Sequence, residues 1–253
     1  MDISSGTFVI TGGAQGLGRA IGIELASRGA NVALVDVNPS ILERAGEECR
    51  QAGGRVQTYV ADVTDEQQVD ALFDRVESEL GAVAGLVNNA GILRDALLVK
   101  AKDGEVIDRL SLDQWQSVID VNLTGVFLCG RAAVTKMIES ETRGAIVNIS
   151  SISRAGNPGQ SNYAAAKAGV AALTVTWARE LARYGIRCAA IAPGVFETEM
   201  VASMKPEAYD RIVGAIPLGR TGRLEELADT AAYIFSNDYV TGRIIELDGG
   251  LRL

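Results

Sequence analysis

Tyr163 and Lys167 are the residues whose types and spacing most clearly permit chemistry. They lie four positions apart in a segment with a helical pattern, so both side chains should project from one helix face. An ammonium group beside a phenol favours the phenolate, and we expect Lys167 to lower the pKa of Tyr163 from its ordinary value near ~10. An isolated pair of this kind would be read as a surface tyrosine with a solvated lysine. Here the stretch 164–178 is almost entirely small or apolar, which favours a buried acid–base pair.

The absence of histidine narrows the chemistry. The chain has no histidine, which excludes Ser-His-Asp and Cys-His nucleophiles and most zinc sites. Its three cysteines, Cys49, Cys129 and Cys188, are far apart and form no CxxC pair. They indicate core thiols in a reducing compartment, and we expect a cytoplasmic protein without a metal site.

A glycine-rich turn at 11–18 follows the first apolar run. Its glycines at 12, 16 and 18 allow a tight turn, close approach of a ligand to the backbone, and close helix–strand packing. Free N–H groups at the start of the next helix attract a pyrophosphate. A plain glycine-rich loop is the alternative, and glycine spacing alone separates the two poorly.

Asp36 supplies the context for that turn. It ends the next strand-like run, 24 residues beyond Gly12. A carboxylate at this place can accept hydrogen bonds from ribose hydroxyls and repels a 2′-phosphate. We therefore expect NAD(H) rather than NADP(H), the alternative being a solvated residue at a strand end.

The elements that must position these groups alternate along the whole chain. Short apolar runs separated by helical patterns predict a doubly wound α/β fold, with a seven-stranded, mostly parallel sheet and helices on both faces. No linker or repeat interrupts the pattern, so residues 1–253 are expected to form one domain. The expected strands are 7–11, 31–36, 56–61, 85–88, 145–149, 187–191 and 244–247. The expected helices are 17–28, 39–51, 65–80, 112–139, 162–184 and 224–235.

Composition bounds the partners. The chain has 253 residues and a net charge of −8, which disfavours nucleic acid and anionic membranes as partners. No secretory signal pattern opens the sequence. No uninterrupted apolar stretch approaches the ~20 residues that span a bilayer. We expect neither a nucleic-acid partner nor a membrane.

Seven motifs in order make the chain resemble the short-chain dehydrogenase/reductase family. They are TGGAQGLG at 11–18, Asp62-Val63, NNAG at 88–91, Asn122, the Ser-Ser pair at 150–151, YAAAK at 163–167 and PGVFET at 193–198. The resemblance implies that a dinucleotide binds over the glycine turn. Its adenine would contact two residues, its adenosine side three more, and its nicotinamide end the segment 193–198. These contacts are Gly12, Gln15, Gly16, Leu17, Gly18, Asp36, Asp62, Val63, Asn89, Ala90, Gly91, Pro193, Gly194, Val195 and Thr198, together with Tyr163 and Lys167.

The resemblance also implies catalytic roles. Tyr163 would donate a proton to a carbonyl oxygen as hydride arrives, and Lys167 would in addition bind the nicotinamide ribose. A serine hydroxyl would polarise the carbonyl. Asn122 would hold a water that relays protons, unless it only caps or kinks its helix.

Two serines compete for the polarising role. Relatives usually place this serine 13 residues before the tyrosine, which selects Ser150, whereas their strand-end pattern selects Ser151. A strand end is held by sheet register, while loops absorb deletions. We therefore expect Ser151 to act.

Two segments could shape a substrate pocket. Residues 195–220 carry Phe196, Met200, Met204, Ile212, Ile216 and Leu218 among charges. They could form a mobile amphipathic lid, or equally a surface helix with a core-facing stripe. The segment 93–110 is longer than in many relatives, and its Lys-Asp-Gly suggests a turn within a hairpin.

The helix around 164–178 is apolar nearly all round, which predicts burial against another subunit. The family resemblance makes a homotetramer the expected assembly.

The leading hypothesis is an oxidoreductase that moves hydride between NAD(H) and a ketone or secondary alcohol. A 3-oxoacyl thioester or a small or apolar ketone is the expected substrate. An epimerase or dehydratase that reuses the Tyr-Lys pair is one alternative. A non-catalytic dinucleotide sensor is another, since fold alone does not establish chemistry.

Overall fold

The structure is a computed structural model that describes residues 1–4, 6–202 and 204–252. Its main feature is a seven-stranded parallel sheet with the strand order β3-β2-β1-β4-β7-β8-β9. The strands are β1 Thr7–Thr11, β2 Asn31–Asp36, β3 Arg55–Val60, β4 Val83–Asn88, β7 Ala145–Ile149, β8 Arg187–Pro193 and β9 Ile244–Leu247. The order reverses between β1 and β4, where a crevice opens at the carboxyl ends of the strands. The predicted fold class is confirmed.

Helices cover both faces of this sheet. They are α1 Gly16–Ser27, α2 Pro39–Ala52, α3 Glu66–Leu80, α4 Leu112–Ile119, α5 Gly125–Glu139, α6 Ser161–Leu181, α7 Glu199–Ala202, α8 Pro206–Ala215 and α9 Leu224–Ser236. On one face α1, α2 and α9 bury a cluster that includes Ile21, Leu42 and Phe235. On the other face α3, α5 and α6 bury a cluster that includes Phe73, Met137 and Leu181. The central strands are mostly apolar because both of their faces are covered, and their buried asparagines, Asn88 and Asn148, are hydrogen-bonded to each other.

The helix predicted over 112–139 contains one irregular turn. Between α4 and α5, residues Asp120–Thr124 form a π-helical turn, in which hydrogen bonds join residues five apart instead of four. By length and composition the whole segment Leu112–Glu139 could also cross a membrane, and half of its most apolar window is buried within the protein. A core helix of a soluble protein has the same properties.

Two segments stand apart from the main sheet. The strands β5 Val99–Lys102 and β6 Glu105–Arg109 form an antiparallel hairpin, and all of their residues are exposed. The turn expected at Lys-Asp-Gly joins them. The 195–220 segment carries α7 and α8, and its two ends are tied because Glu197 N–H donates to the Gly222 carbonyl at 2.9 Å.

The apolar helix α6 is only partly covered by its own chain. One stripe packs in the core with Val170, Ala178 and Leu181, while Ala165, Ala168 and Ala172 are exposed. A single chain therefore leaves one side of α6 exposed, and the burial of that side against another subunit stays a prediction.

Candidate active site

The glycine turn between β1 and α1 needs each of its three predicted glycines. Gly12 and Gly16 have φ of +63° and +53°, in the left-handed region that favours glycine. A Cβ on Gly18 would lie 2.2 Å from the Gly12 carbonyl oxygen, so α1 could not approach the strand. Gly18 therefore serves helix packing.

Asn89 holds this turn from the neighbouring strand. Its amide nitrogen donates to the carbonyls of Thr11 at 3.1 Å and Gly12 at 2.9 Å. In return the Thr11 hydroxyl accepts the N–H groups of Asn89 and Ala90, each at 3.1 Å. The Asn89 side chain thus braces the turn, in addition to lining the cleft described next.

A cleft of about 570 Å³ lies over the carboxyl ends of β1 to β4. Eleven of the predicted cofactor contacts line it: Gly12, Gln15, Gly16, Leu17, Asp36, Asp62, Val63, Asn89, Ala90, Gly91 and Thr198. Six others lie outside its lining: Gly18, Pro193, Gly194, Val195, Tyr163 and Lys167. The sequence analysis missed Val35, Val37, Ala61, Ile92, Val121 and Glu199, which also line it. The missed apolar residues flank predicted ones, so adjacency was the available signal.

Asp36 is fixed at the wall of this cleft. Its carboxylate accepts the N–H of Ala14 at 3.3 Å and that of Asn38 at 3.1 Å. Asp62 and Glu199 add two more carboxylates to the lining. Among the described residues that line the cleft, none is a lysine or arginine. The described lining of the cleft therefore has three carboxylates and no basic side chain that could bind a 2′-phosphate.

The segment after β8 divides between two cavities. Thr198 lines the main cleft, whereas Val195 lines a smaller cavity of about 120 Å³ with Phe196 and Leu218. A Cβ on Gly194 would lie 2.7 Å from Asp248 Cα, so this glycine allows close packing on the chain after β9. Pro193 is the last residue of β8.

Asn122 lies in the π-helical turn and is fully buried. Its amide oxygen accepts the Ile92 N–H at 2.8 Å, and its amide nitrogen donates to the Ile92 carbonyl at 3.0 Å. The side chain therefore holds the backbone just beyond β4. Both hydrogen bonds go to Ile92, which lies outside the helix, so Asn122 does more than cap its own helix.

The two candidate serines face different partners. The Ser150 hydroxyl donates to the Lys167 carbonyl at 2.9 Å and is buried. The Ser151 hydroxyl lies beside the Tyr163 phenol, close enough to lower the pKa of that phenol. Ser151 Oγ also accepts the Ser153 N–H at 3.0 Å, which starts the short 3₁₀ helix Ile152–Ala155. Only Ser151 is therefore placed beside the tyrosine.

Lys167 is buried below Tyr163 in the first turns of α6. Its Nζ donates to the Ile149 carbonyl at 2.7 Å and lies 5.6 Å from the centre of the Tyr163 ring. Burial lowers the pKa of Lys167 to about 8. The ammonium group thus binds the end of β7, and burial disfavours its charge.

Burial raises the pKa of Tyr163, the Ser151 hydrogen bond lowers it, and the charge of Asp95 raises it further. The expectation that Lys167 lowers the Tyr163 pKa was wrong for the chain by itself. Lys167 directs its Nζ to a carbonyl beneath the ring, and desolvation of the phenolate is the larger effect.

The two segments predicted to shape a substrate pocket are held loosely. Helix α8 has no buried residue, and Leu218 is 67% exposed, although Phe196 and Ile216 are buried. The side chain of Met200, expected in the same apolar set, lies outside the described residues. The hairpin contributes exposed Val99, Val106 and Ile107.

No group of three or more His, Cys, Asp or Glu side chains among the described residues is arranged to hold a metal ion. The three cysteines are free and buried.

The doubly wound sheet, the glycine turn at the point where the strand order reverses, and the Tyr-Lys pair on α6 define a class of protein. The chain belongs to the short-chain dehydrogenase/reductase family, and a family profile described as enoyl-(acyl carrier protein) reductase matches residues 12–252. It is an oxidoreductase of this family.

Particular relatives narrow the similarity. The chain is 43% identical over 246 residues to a 3-oxoacyl-acyl-carrier-protein reductase of Thermotoga maritima, which covers 96% of each chain. It is 38% identical over 260 residues to a (3R)-3-hydroxyacyl-CoA dehydrogenase of Canis lupus familiaris, which covers 98% of this chain and 97% of the relative. A short-chain type dehydrogenase/reductase from Mycobacterium marinum superimposes with a TM-score of 0.89 at 34% identity, over 98% of this chain and 96% of that one.

Proposed function

We propose that this protein transfers hydride reversibly between NAD(H) and carbon 3 of an acyl thioester. The observation that carries the proposal is the position of the Ser151 hydroxyl beside the half-buried phenol of Tyr163, with Lys167 beneath that ring. The names of the two relatives describe the same bond from opposite directions, since one reduces a 3-oxoacyl group and the other oxidises a 3-hydroxyacyl group. A 3-oxoacyl or (3R)-3-hydroxyacyl thioester is therefore the favoured substrate class, with a small apolar ketone as the broader one.

The residues of the cleft fit a dinucleotide. The glycine turn leaves space that a Cβ would fill, because a Cβ on Gly16 would meet only Thr198, at 3.7 Å across the cleft. Gly12, Gly16 and Leu17 would hold the pyrophosphate, Asp36 the adenosine ribose, and Asp62 and Val63 the adenine. Thr198 would face the nicotinamide end. Bound NADH would supply hydride to carbon 3, and NAD⁺ would accept it in the reverse direction.

The side chains around Tyr163 would manage the proton. A phenol whose pKa is raised by burial stays protonated near neutral pH, so Tyr163 can donate its proton to the carbonyl oxygen during reduction. The Ser151 hydroxyl would donate a second hydrogen bond to that oxygen and stabilise the developing negative charge. Lys167 would orient the ribose and favour return of a proton to Tyr163, and Asn122 would hold a relaying water.

The cofactor preference rests on the charge of the cleft. Three carboxylates and no lysine or arginine line it among the described residues. A 2′-phosphate would gain no cation there and would meet the Asp36 carboxylate, which is held in place by two backbone N–H groups. These contacts support NAD(H) over NADP(H).

The decisive assay follows NADH absorbance at 340 nm with acetoacetyl-CoA, the same acyl group on an acyl carrier protein, and simple apolar ketones. We expect turnover with a thioester and a lower kcat/KM with NADPH. Binding of NADH without turnover on any substrate would favour the dinucleotide sensor instead. Preference for NADPH would overturn the role given to Asp36.

An Asp36→Ala variant tests that role directly. We expect it to weaken use of NADH and improve use of NADPH, narrowing the preference by roughly 10-fold, about the effect of one lost charge interaction. Asp70→Asn, which changes an exposed carboxylate on α3, is the matched control and should leave the preference unchanged.

The proposed assembly is a homotetramer in the cytoplasm. The exposed alanine stripe of α6 would be covered by a second copy, and the free buried cysteines suit a reducing compartment. A monomer at micromolar concentration in light scattering would contradict this assembly.

A further inference from the structure

Asn162, the residue before Tyr163, makes three partly buried hydrogen bonds that the proposed chemistry does not use. It is 0% exposed. Its amide nitrogen donates to the Arg94 carbonyl at 3.1 Å and to the Gln114 carbonyl at 3.0 Å. Its amide oxygen accepts the Tyr163 N–H at 2.8 Å. One side chain thus joins α6 to two segments that lie far from it in sequence.

These bonds exceed what a helix start requires. An asparagine that only satisfies a free N–H in the first turn needs its oxygen alone. Here both amide hydrogens are also used, on carbonyls 68 and 48 residues earlier in the chain. The reverse amide orientation would set the oxygen against two carbonyls, so the contacts fit one orientation only.

The segment reached by Asn162 is the one that Asn122 also holds. Asn122 binds both backbone groups of Ile92, and Asn162 binds the carbonyl of Arg94 two residues later. Gln114, the other partner of Asn162, lies in α4, which continues through the π-helical turn that contains Asn122. Residues 92–94 are therefore clamped between two asparagines on different helices.

Polar contacts nearer the surface reinforce the clamp. Gln160 donates to the Asp95 carboxylate at 3.0 Å, and the Ala96 N–H donates to the Gly159 carbonyl at 2.9 Å. Asp95 is exposed, and water can replace such a bond at little cost. The bonds of the Asn162 amide are harder to replace, because that side chain is fully buried and water has less access to it.

We propose that Asn162 is a positioning residue that fixes the Tyr163 hydroxyl relative to Asn122 through the shared segment 92–94. The proposal rests on the proposed function, in which these two residues handle the same proton. Asn162 itself touches neither substrate nor cofactor. Its loss would leave the binding cleft intact and misplace the acid, and a misplacement of about 1 Å can cost roughly 10²-fold in rate.

The test compares Asn162→Ala with Asn148→Ala. Asn148 is also fully buried and makes amide hydrogen bonds to Asn88 and Thr174 at 2.9 Å, within the sheet and α6 core. Both variants lose a buried amide and should lose similar stability. We expect kcat for thioester reduction to fall roughly 10²-fold only in Asn162→Ala, with the NADH dissociation constant changed less than about twofold in both.

A Ser variant keeps the test usable if Asn162→Ala does not fold. Asn162→Ser retains an oxygen near the Tyr163 N–H but loses the reach to Arg94 and Gln114, and we expect it to lose kcat as Ala does. Equal losses of kcat in the Asn162 and Asn148 variants, or a kcat within about threefold of wild type in a folded Asn162 variant, would overturn the positioning role.

A spectroscopic measurement separates failure of this inference from failure of the proposed function. Tyrosine labelled with ¹³C at the ring carbon bearing the hydroxyl reports ionisation by NMR, and Tyr163→Phe identifies the signal among the six tyrosines. Because burial raises the pKa of Tyr163, loosening the clamp should lower that pKa in the Asn162 variants. An unchanged pKa contradicts the inference even if wild-type turnover is never found.

Discussion

The strand ends that form the floor of the site and the two segments beside it are built in opposite ways. At the strand ends Thr11, Asn88 and Ser151 are buried, and backbone and side chains bind one another across neighbouring strands. In the hairpin every residue of β5 and β6 is exposed, and α8 has no buried residue. Sheet register thus fixes the polar side chains at the strand ends, while the exposed hairpin and α8 are free to vary.

The largest expected effect comes from removing the proposed acid, Tyr163, which α6 holds beside the strand ends. Tyr163→Phe deletes only the phenolic oxygen, and we expect kcat to fall roughly 10²–10⁴-fold, the usual contribution of a general acid. The ring still packs over Lys167, so NADH binding measured by fluorescence should persist. Retention of more than a tenth of wild-type turnover would show that another group supplies the proton.

The paired serines sharpen the comparison at a resolution of one residue. Ser151→Ala removes the hydroxyl beside Tyr163, and we expect a loss of roughly 10²–10³-fold in kcat, as for a donor to a developing oxyanion. Ser150→Ala removes a hydroxyl that binds the Lys167 carbonyl, so it should act on stability more than on rate. The opposite ranking in steady-state kinetics would reassign the polarising role to Ser150.

Lys167 measures how much stability is lost by burying a charged group beneath the site. Its pKa of about 8 in the folded chain lies below the ordinary value of 10.5, so between these values the unfolded chain binds more protons. Stability should therefore rise from about pH 8 to pH 10.5, and it is lost as pH falls through 8. Lys167→Met removes this penalty and should raise the free energy of unfolding at pH 7 by roughly 2 kcal/mol, after loss of the bond to the Ile149 carbonyl.

Urea unfolding of Lys167→Met at pH 7 and pH 10 measures the effect, with exposed Lys100→Met as the control. The difference from wild type should shrink at the higher pH, and activity should be lost. A Met variant less stable than wild type at pH 7 would show that the ammonium group contributes more through its contacts than burial costs.

The smallest effect is expected from the hairpin. Replacing residues 99–109 by Gly-Gly keeps the contacts of Asp95 and Asn162 and removes only exposed residues. We expect kcat with acetoacetyl-CoA to stay within about threefold, and the free energy of unfolding within about 0.5 kcal/mol. A loss as large as that of Ser151→Ala would abolish the distinction between floor and flanks.

Much of the floor could be predicted because it depends on local rules. Glycine at 12 and 16 is needed for positive φ, and glycine at 18 for close packing. Together with the apolar run before them and the helical pattern after them, these glycines placed the turn between strand and helix. Apolar runs gave the seven strands because strands covered on both faces have mostly apolar residues. Element ends differ by one to three residues: β4 begins at Val83 rather than Gly85, and α6 ends at Leu181 rather than Tyr184.

The remainder depends on contacts between distant segments. Nothing near Asn162 announces its bonds to Arg94 and Gln114, and the bracing role of Asn89 requires knowing that β4 lies beside β1. The pKa of Tyr163 was misjudged because a spacing of four residues does not reveal burial or the direction of the Lys167 ammonium group. The π-helical turn is invisible to a period of 3.6 because it adds only one residue.

That added residue sets a phase. In an α-helix each residue advances the direction of the side chain by about 100°. Deleting one residue within Asp120–Thr124 would let the helix run regularly, and every side chain of α4 would then turn by about that angle relative to α5. The Gln114 carbonyl would move away from α6, and the hairpin that precedes α4 would move with it. The extra residue in this turn therefore sets the rotation of α4 relative to α5, so that the two halves of one long helix face different neighbours.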